Sequence, residues 1–222
     1  MNGRHELKHY INEMDLALLR ARLRVVAKPD ENTGADGSYK IRSLYFDNYS
    51  DKVVVEKLSG LSRKEKFRLR YYNDDISFIQ LEKKSKVNLL AYKESTVITA
   101  DQFAALLAGN YECLKLPGAP LIMEFYSKIH YQNLRPRSIV DYYREAWVYR
   151  AGNVRITLDS RIKTSNSVIG FLDPKLVTIP AANAIVLEIK YDGFLPDIIR
   201  DALQIGSRNQ TEFSKYLVAR LV

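Results

Sequence analysis

The sequence predicts an α+β fold in which one large β-sheet carries its helices on the outside. Three observations predict it. Six or more segments alternate polar and apolar residues with the period of a β-strand. Other segments have apolar residues three or four positions apart, as in helices, and residues typical of helix N-caps precede them. No internal repeat or linker interrupts the 222 residues, so we expect a single domain over 1–222.

The strands are predicted from runs of alternation that turn residues separate. The run at 64–72 has one mainly apolar face and one cationic face. The cationic face carries Lys64, Lys66, Arg68, Arg70 and Tyr72. A row of one charge sign is unfavourable unless something anionic lies against it. The other predicted strands are 4–11, 40–47, 78–85, 91–98, 137–150, 154–159 and 184–191.

Helices are predicted where apolar residues recur at helical spacing after a capping residue. They run from Asn12 to Val26, from Thr99 to Leu107, over 121–133, from Pro196 to Ile205 and from Thr211 to Leu221. Asn12 and Thr211 are the predicted N-caps of the first and the last helix. The segment 51–58 fits a helix and a strand equally well, and its structure stays open.

The composition limits the classes of function. A net charge of +8 and an isoelectric point near 9.4 predict polyanionic partners, such as nucleic acid, phosphorylated small molecules or an anionic membrane surface. Cys113 is the only cysteine, which excludes an internal disulfide and a thiolate metal site. The first residues are polar and charged, and no apolar run is long enough to span a bilayer. We therefore expect a soluble, cytoplasmic protein.

The polar faces of the predicted strands carry mainly arginine and lysine, with a few carboxylates. A flat sheet would leave such faces in water. A sheet closed into a barrel of about eight strands would instead turn them inward, around a space that can hold a small ligand. A dry cavity lined by cations is very costly, whereas water and a chain of phosphates would compensate the charges. Among so many cations, Glu188 could hold a divalent metal ion that the phosphate oxygens share.

Eight segments in this order carry a family resemblance. They are RHELK at 4–8, SLYFD at 43–47, KFRLR at 66–70, LEKK at 81–84, YYR at 142–144, RITLD at 155–159, EIKY at 188–191 and FSKY at 213–216. Together they resemble the VTC (vacuolar transporter chaperone) polyphosphate polymerase domain of the triphosphate tunnel metalloenzymes, the CYTH-like superfamily. The resemblance implies an antiparallel barrel whose interior is a tunnel for triphosphate.

The resemblance also implies roles for individual residues. Those assigned to catalysis are Arg68, Arg70, Arg144, Arg155 and Lys215. Those assigned to binding of phosphate are Lys8, Lys66, Lys84, Lys93, Lys190 and Ser214. Tyr142 matches a position that can stack on the nucleotide base. Glu188 matches the glutamate that binds Mn²⁺ or Mg²⁺, and Glu6 is a second candidate ligand.

The function that the resemblance implies is transfer of the γ-phosphoryl group of ATP to a growing polyphosphate chain. Arg4 stands where the wider superfamily often has a glutamate, which counts against adenylate cyclase or thiamine triphosphatase activity. Hydrolysis of triphosphate or polyphosphate in the same tunnel stays open, as does a polyphosphate-binding module without catalysis. A nucleic-acid binder is the rival from another class, because 15 tyrosines accompany the cations. The alternation of cations with glutamate on strands counts against it.

Overall fold

The computed structural model describes residues 3–115, 119–206 and 208–222. The described residues form ten strands and six helices. The strands are β1 His5–Ile11, β2 Lys28–Pro29, β3 Tyr39–Asp47, β4 Arg63–Tyr72, β5 Asp75–Val87, β6 Leu90–Ile98, β7 Arg135–Tyr149, β8 Val154–Ser165, β9 Ile179–Ala182 and β10 Ile185–Tyr191. The helices are α1 Glu13–Val26, α2 Lys52–Leu58, α3 Ala100–Leu107, α4 Pro120–Tyr131, α5 Asp197–Ala202 and α6 Lys215–Arg220. No helix in these ranges is long and apolar enough to cross a membrane.

All ten strands belong to one antiparallel sheet. Its order is β1-β10-β8-β7-β3-β4-β5-β6, with β2 added beside β7 and β9 beside β8. The two strands at the ends of this order, β1 and β6, approach each other at a single bridge within the described residues. There Arg4 and Ala91 exchange two backbone hydrogen bonds of 3.1 Å. The antiparallel α+β prediction is confirmed. The sheet is strongly curled but not closed by a full ladder, so the closed barrel stays a prediction.

The convex face of the sheet is apolar, and helices cover it. Leu19 and Leu23 of α1 pack with Ile199 of α5 on the half of the sheet that contains β1, β8 and β10. Phe103 of α3 and Phe125 of α4 pack on the half that contains β4 and β5. Because successive residues of a strand point to opposite faces, this packing leaves the cationic positions on the concave face.

The concave face is partly filled by α6. Tyr216 of α6 stacks on Tyr45 of β3, with ring centroids 5.2 Å apart, and belongs to the same buried cluster as Tyr142 of β7. The Tyr216 hydroxyl donates to Asp47, whose carboxylate also accepts from the backbone of Val53 at the start of α2. The helices α2 and α6 therefore close off part of the concave face, and the remaining space stays polar.

Several sequence predictions are confirmed and others are corrected. Asn12 caps α1 through a capping box with Asp15, as its position predicted. The open segment 51–58 forms the helix α2. The prediction of Thr211 as the last N-cap is wrong, because Ser214 accepts the capping hydrogen bond from Leu217 and the helix begins three residues later than expected.

One ion pair is buried on the convex side. Arg42 of β3 is 1% exposed and donates to both carboxylate oxygens of Asp141 on β7 at 2.8 Å. Its remaining nitrogen, Nη1, donates to the carbonyl oxygens of Phe171 and Asp173. Burial acts against the charge of Arg42, but Asp141 outweighs it and raises the pKa of the guanidinium. The pair ties β3 and β7 to the turn at 168–173.

Arg42→Met is expected to lower the free energy of unfolding by about 3–5 kcal/mol, because it leaves the Asp141 carboxylate buried without its partner. Urea denaturation followed by circular dichroism measures the loss. The double variant with Arg42→Met and Asp141→Leu should lose clearly less than Arg42→Met alone. Equal losses for both variants would contradict this account of the pair.

Candidate functional site

The concave face of the sheet encloses a cavity of about 400 Å³, which we call the basic cavity. Among the described residues that line it are thirteen lysine and arginine side chains and only four glutamates. The cations are Arg4, Lys8, Lys57, Lys64, Lys66, Arg68, Arg70, Lys84, Lys86, Lys93, Arg144, Arg155 and Lys190. The whole chain has a net charge of +8, so its positive excess is concentrated in this cavity.

Lys66 and Lys84 are the cations with the least compensation. They lie opposite each other on β4 and β5, and no carboxylate lies within ion-pair distance of either in the described part of the chain. Burial, together with Lys8 and Arg68, lowers the pKa of Lys66 to about 8, although Tyr45 acts in the opposite direction. Lys190, burial and Arg68 lower the pKa of Lys84 well below its ordinary value. The protonated lysines are therefore destabilised until an anion approaches them.

Glu82 of β5 is fully buried and holds two cations of the cavity in place. Its Oε2 accepts from Arg68 Nε at 2.6 Å, and its Oε1 lies 2.6 Å from Lys93 Nζ. Arg68 also donates to the Tyr45 hydroxyl at 3.0 Å. Burial acts to raise the pKa of Glu82, but Arg68, Arg70 and Lys93 outweigh it and lower the pKa far below its usual range. The carboxylate stays ionised and fixes the direction of the Arg68 guanidinium.

Asp159 of β8 plays the same part for Arg144. Its two carboxylate oxygens accept from Arg144 at 2.7 and 2.8 Å, and Lys215 Nζ lies 2.5 Å from Oδ2. Lys215 is also 4.7 Å from the centre of the Tyr142 ring. Although burial opposes it, the charge of Arg144 and Lys215 lowers the pKa of Asp159. Lys215 is thus held beneath the cavity wall by a buried carboxylate.

Arg155 of β8 is held at the edge of the cavity by two groups. Its guanidinium donates to the Tyr39 hydroxyl at 3.0 Å and pairs with the Asp30 carboxylate at 3.0 Å. Asp30 in turn accepts from the backbone and the side-chain amide of Asn32. Three of the cavity arginines, Arg68, Arg144 and Arg155, are therefore fixed by carboxylates before any ligand arrives.

Two carboxylates in the cavity are candidates for binding a metal ion. Glu6 of β1 and Glu188 of β10 lie on paired strands. Lys8 Nζ lies 2.5 Å from the Glu6 carboxylate, and Lys190 Nζ lies 2.5 Å from that of Glu188. Burial and Glu188 act to raise the pKa of Glu6, but Lys8, Lys190 and Lys84 outweigh them and lower it to about 2. Burial likewise acts to raise the pKa of Glu188, but Lys190, Lys8 and Lys84 outweigh it and lower the pKa well below its ordinary value, so both carboxylates are ionised at neutral pH.

The donor set fits a hard divalent cation only if a ligand adds oxygen atoms. Within the described ranges, no group of three or more His, Cys, Asp or Glu residues could hold a metal ion. Mg²⁺ and Mn²⁺ are commonly held by one or two carboxylates together with water and phosphate oxygens. Glu6 and Glu188 supply those two carboxylates, and the lysines beside them would have to turn towards phosphate.

The opening of the cavity contains residues that the sequence did not identify. The Glu212 carboxylate is 61% exposed and lies 2.6 Å from Lys57, 3.0 Å from Lys86 and 3.9 Å from Lys64. Hydrogen bonds from Lys57 and Lys86 lower its pKa to about 2. Lys64 was already placed on the cationic face of its strand, and Lys86 could have been found, because it continues the alternation of Lys84. Lys57 lies on α2, a segment whose structure the sequence left open, and Glu212 lies in a loop. At neither position could a strand or helix period predict which way the side chain points.

The structure brings nearly all of the predicted site residues to one place. Arg68, Arg70, Arg144, Arg155, Lys8, Lys66, Lys84, Lys93, Lys190, Ser214, Glu6 and Glu188 all line the basic cavity. Lys215 and Tyr142 do not line it. Tyr142 is 1% exposed and its hydroxyl accepts from Arg70 at 2.8 Å, so stacking on a base would require the ring to become exposed. The roles assigned to these residues stay predictions.

Comparisons with known proteins agree with the fold. The family described as the VTC domain matches residues 3–222. A comparison with curated proteins gave no match. A Bacillus halodurans protein described as a candidate adenylate cyclase has a TM-score of 0.51 and 12% identity, with 85% of this chain and 82% of that chain covered. At that identity the likeness shows the fold alone.

Two archaeal structures are more distant. A Pyrococcus horikoshii protein has a TM-score of 0.45 and 15% identity, with 90% of this chain and 84% of that chain covered. A conserved hypothetical protein from Pyrococcus furiosus has a TM-score of 0.44 and 12% identity, with 90% and 85% covered.

Lys66→Met is expected to raise the free energy of unfolding at neutral pH by on the order of 1–3 kcal/mol, because the folded chain disfavours a protonated lysine whose pKa falls to about 8. The gain should be complete below about pH 8 and shrink as the pH rises towards the ordinary lysine value of 10.5. Urea denaturation in phosphate-free buffer at both ends of this range measures it.

Lys83→Met is the matched control for this variant. Lys83 points to the opposite face of β5 and lies 2.5 Å from Glu124, so its removal should bring no gain in stability. A Lys66→Met protein that is less stable than the unchanged chain at neutral pH would contradict the repulsion inferred for the cavity.

Proposed function

Because the chain belongs to the VTC domain family, we propose that the basic cavity binds linear phosphate chains and transfers the γ-phosphoryl group of ATP to the end of polyphosphate. The observation that carries this proposal is the excess of enclosed cations, above all the uncompensated Lys66 and Lys84. A linear polyphosphate repeats its negative charge at short intervals, which matches cations that recur on neighbouring strands. The enclosure of these cations counts against a nucleic-acid duplex as the ligand.

The proposed step needs alignment and charge neutralisation more than covalent catalysis. A terminal oxygen of polyphosphate forms a bond to the γ-phosphorus of ATP, and the bond from that phosphorus to the β,γ-bridging oxygen breaks. ADP leaves, and polyphosphate grows by one unit. The attacking oxygen is already anionic, so no general base is required. Arg68 and Arg144, which buried carboxylates hold in place, would stabilise the charge that develops on the transferring group.

In this proposal Glu188 and Glu6 hold Mn²⁺ or Mg²⁺, and Lys8 and Lys190 turn from these carboxylates to phosphate oxygens. The metal ion would neutralise charge on the phosphate chain and orient it. Lys215 would also have to leave Asp159 before it could reach a phosphate. In each of these three ion pairs the lysine Nζ lies 2.5 Å from a carboxylate oxygen. This supports a site in which each lysine exchanges a carboxylate for a phosphate when the ligand binds.

We include in the proposal a sheet that closes fully around the ligand. The two hydrogen bonds between Arg4 and Ala91 support closure at one level of β1 and β6. Phosphate bound between Lys8 of β1 and Lys93 of β6 would draw the two strands together. Amide hydrogen exchange with and without tripolyphosphate would then slow at the first residues of both strands.

The decisive experiment incubates the chain with ATP and either Mg²⁺ or Mn²⁺ and follows both products. The proposal expects ADP and long-chain polyphosphate, resolved by gel electrophoresis. Free phosphate in place of polyphosphate would favour hydrolysis in the same cavity. Tight binding of tripolyphosphate, detected as a rise in melting temperature, without any turnover would favour a binding module and would overturn the transferase.

Lys84→Met is expected to lower the rate of phosphoryl transfer by about tenfold or more, because it removes one of the uncompensated cations that would stabilise the phosphate chain. It should also reduce the rise in melting temperature that tripolyphosphate causes. Lys83→Met, which removes the same charge from the opposite face, should change neither quantity. If the two variants behave alike, the effect is one of overall charge and not of the cavity.

Glu212→Gln is expected to tighten the binding of polyphosphate by about threefold to tenfold, because the carboxylate competes for Lys57, Lys64 and Lys86. Isothermal titration calorimetry with polyphosphate of defined length measures the change. Asp197→Gln is a suitable control, since that exposed carboxylate contacts Arg200 on α5 and does not line the cavity. Weaker binding by Glu212→Gln would show that Glu212 orients the lysines for the ligand.

A further inference from the structure

The outward face of α1 carries an unusual apolar stripe. Met14 and Val25 are 82% and 85% exposed, and Leu18 is 41% exposed. Ala17 and Ala21 lie between them and are also exposed. At 3.6 residues per turn, these five positions fall within about 100° of the helix circumference. The opposite face buries Leu16, Leu19 and Leu23 against the sheet, so α1 is apolar on two sides.

An exposed stripe of this kind marks an interaction surface. The charges beside it indicate what covers it. Glu13 and Arg24 are both exposed, and neither has an ion-pair partner in the parts of the chain that the structure describes. They are about three helical turns apart, so they lie on the same flank of the stripe, one at each end.

A second copy of α1 that packs antiparallel on the first satisfies both groups. The two-fold axis of such a pair is perpendicular to both helices, and it places each flank beside the same flank of the other copy. Glu13 of one copy then lies beside Arg24 of the other, twice in the interface. In a parallel pair the opposite flanks would meet, and these charges would not.

The other flank agrees with the same axis. The axis that pairs Glu13 with Arg24 passes between the two helices, level with the midpoint of Leu18 and Leu19. It also pairs Asp15 with Arg22. Asp15 and Arg22 are about two turns apart on that flank. Within one copy they contact Arg208 and the carbonyl oxygen of Gln204, so they add charge complementarity at the edge of the pair. The small side chains of Ala17 and Ala21 lie near the axis and allow the helices to approach closely.

We propose that α1 is a self-association surface, on which α1 of a second copy packs antiparallel through Met14, Leu18 and Val25. The stripe lies on the convex side of the sheet, so two copies can associate with both basic cavities open. The surface does not depend on what the cavity binds.

Sedimentation velocity over a concentration series tests the proposal on the full chain at moderate salt. We expect a reversible monomer–dimer equilibrium. Leu18→Glu places two like charges beside the two-fold axis and should raise the dissociation constant by about tenfold or more. Met123→Glu is the matched control, because Met123 is 43% exposed on α4 and lies outside the stripe. It should leave the equilibrium unchanged, and circular dichroism should show that both variants are folded.

A charge exchange tests the antiparallel register. Glu13→Arg alone and Arg24→Glu alone should each weaken the dimer, because each brings like charges together at both ends. The double variant should restore most of the lost affinity. A chain that is monomeric at every concentration would overturn the proposal. A double variant that dimerises no better than the single variants would overturn the antiparallel pairing, and so would a dimer that Leu18→Glu does not affect.

Discussion

Repulsion among cations that the sheet forces into one enclosed space is the constraint on which the rest of the site depends. Arg68, Arg70, Lys66 and Lys84 occupy alternate positions of adjacent strands, so they cannot avoid one another. The ordinary remedy is an equal number of carboxylates, and the cavity has too few of them. The folded chain therefore carries an unfavourable electrostatic free energy that an anionic ligand would relieve.

The buried carboxylates divide the cations into two groups with different behaviour. Glu82 and Asp159 fix the guanidinium groups of Arg68 and Arg144, and their ionised state follows from those same neighbours. These arginines are preorganised, which is what stabilisation of a developing charge requires. Among the described residues, Lys66 and Lys84 have no carboxylate that holds them in this way. The proposed phosphoryl transfer to a growing chain would use both groups, since it would hold one phosphate in place and let the others pass.

Apolar packing on the convex side of the sheet offsets the unfavourable electrostatic free energy of the concave side. The clusters under α1, α5, α3 and α4 bury aromatic and aliphatic residues of the same strands whose other faces carry the cations. Each strand thus contributes to the apolar core with one set of residues and to the basic cavity with the other. The buried pair of Arg42 and Asp141 on the convex side joins β3 to β7 and supports the part of the wall that contains Arg70 and Tyr142.

The sequence by itself determined which residues share a face, because the period of a strand is two and the period of a helix is 3.6. That was enough to place Asn12 as a cap, to assign the strand at 64–72 and, together with the family resemblance, to select site residues of which nearly all line the cavity. It could not show that Lys215 and Tyr142 lie beneath the cavity wall, because α6 packs there through contacts with distant strands. It also could not show Glu212 among Lys57, Lys64 and Lys86, or the bridge between Arg4 and Ala91. The curvature of the sheet and the pairing of charges far apart in the chain arise from packing across the whole sheet, and only the tertiary structure decides them.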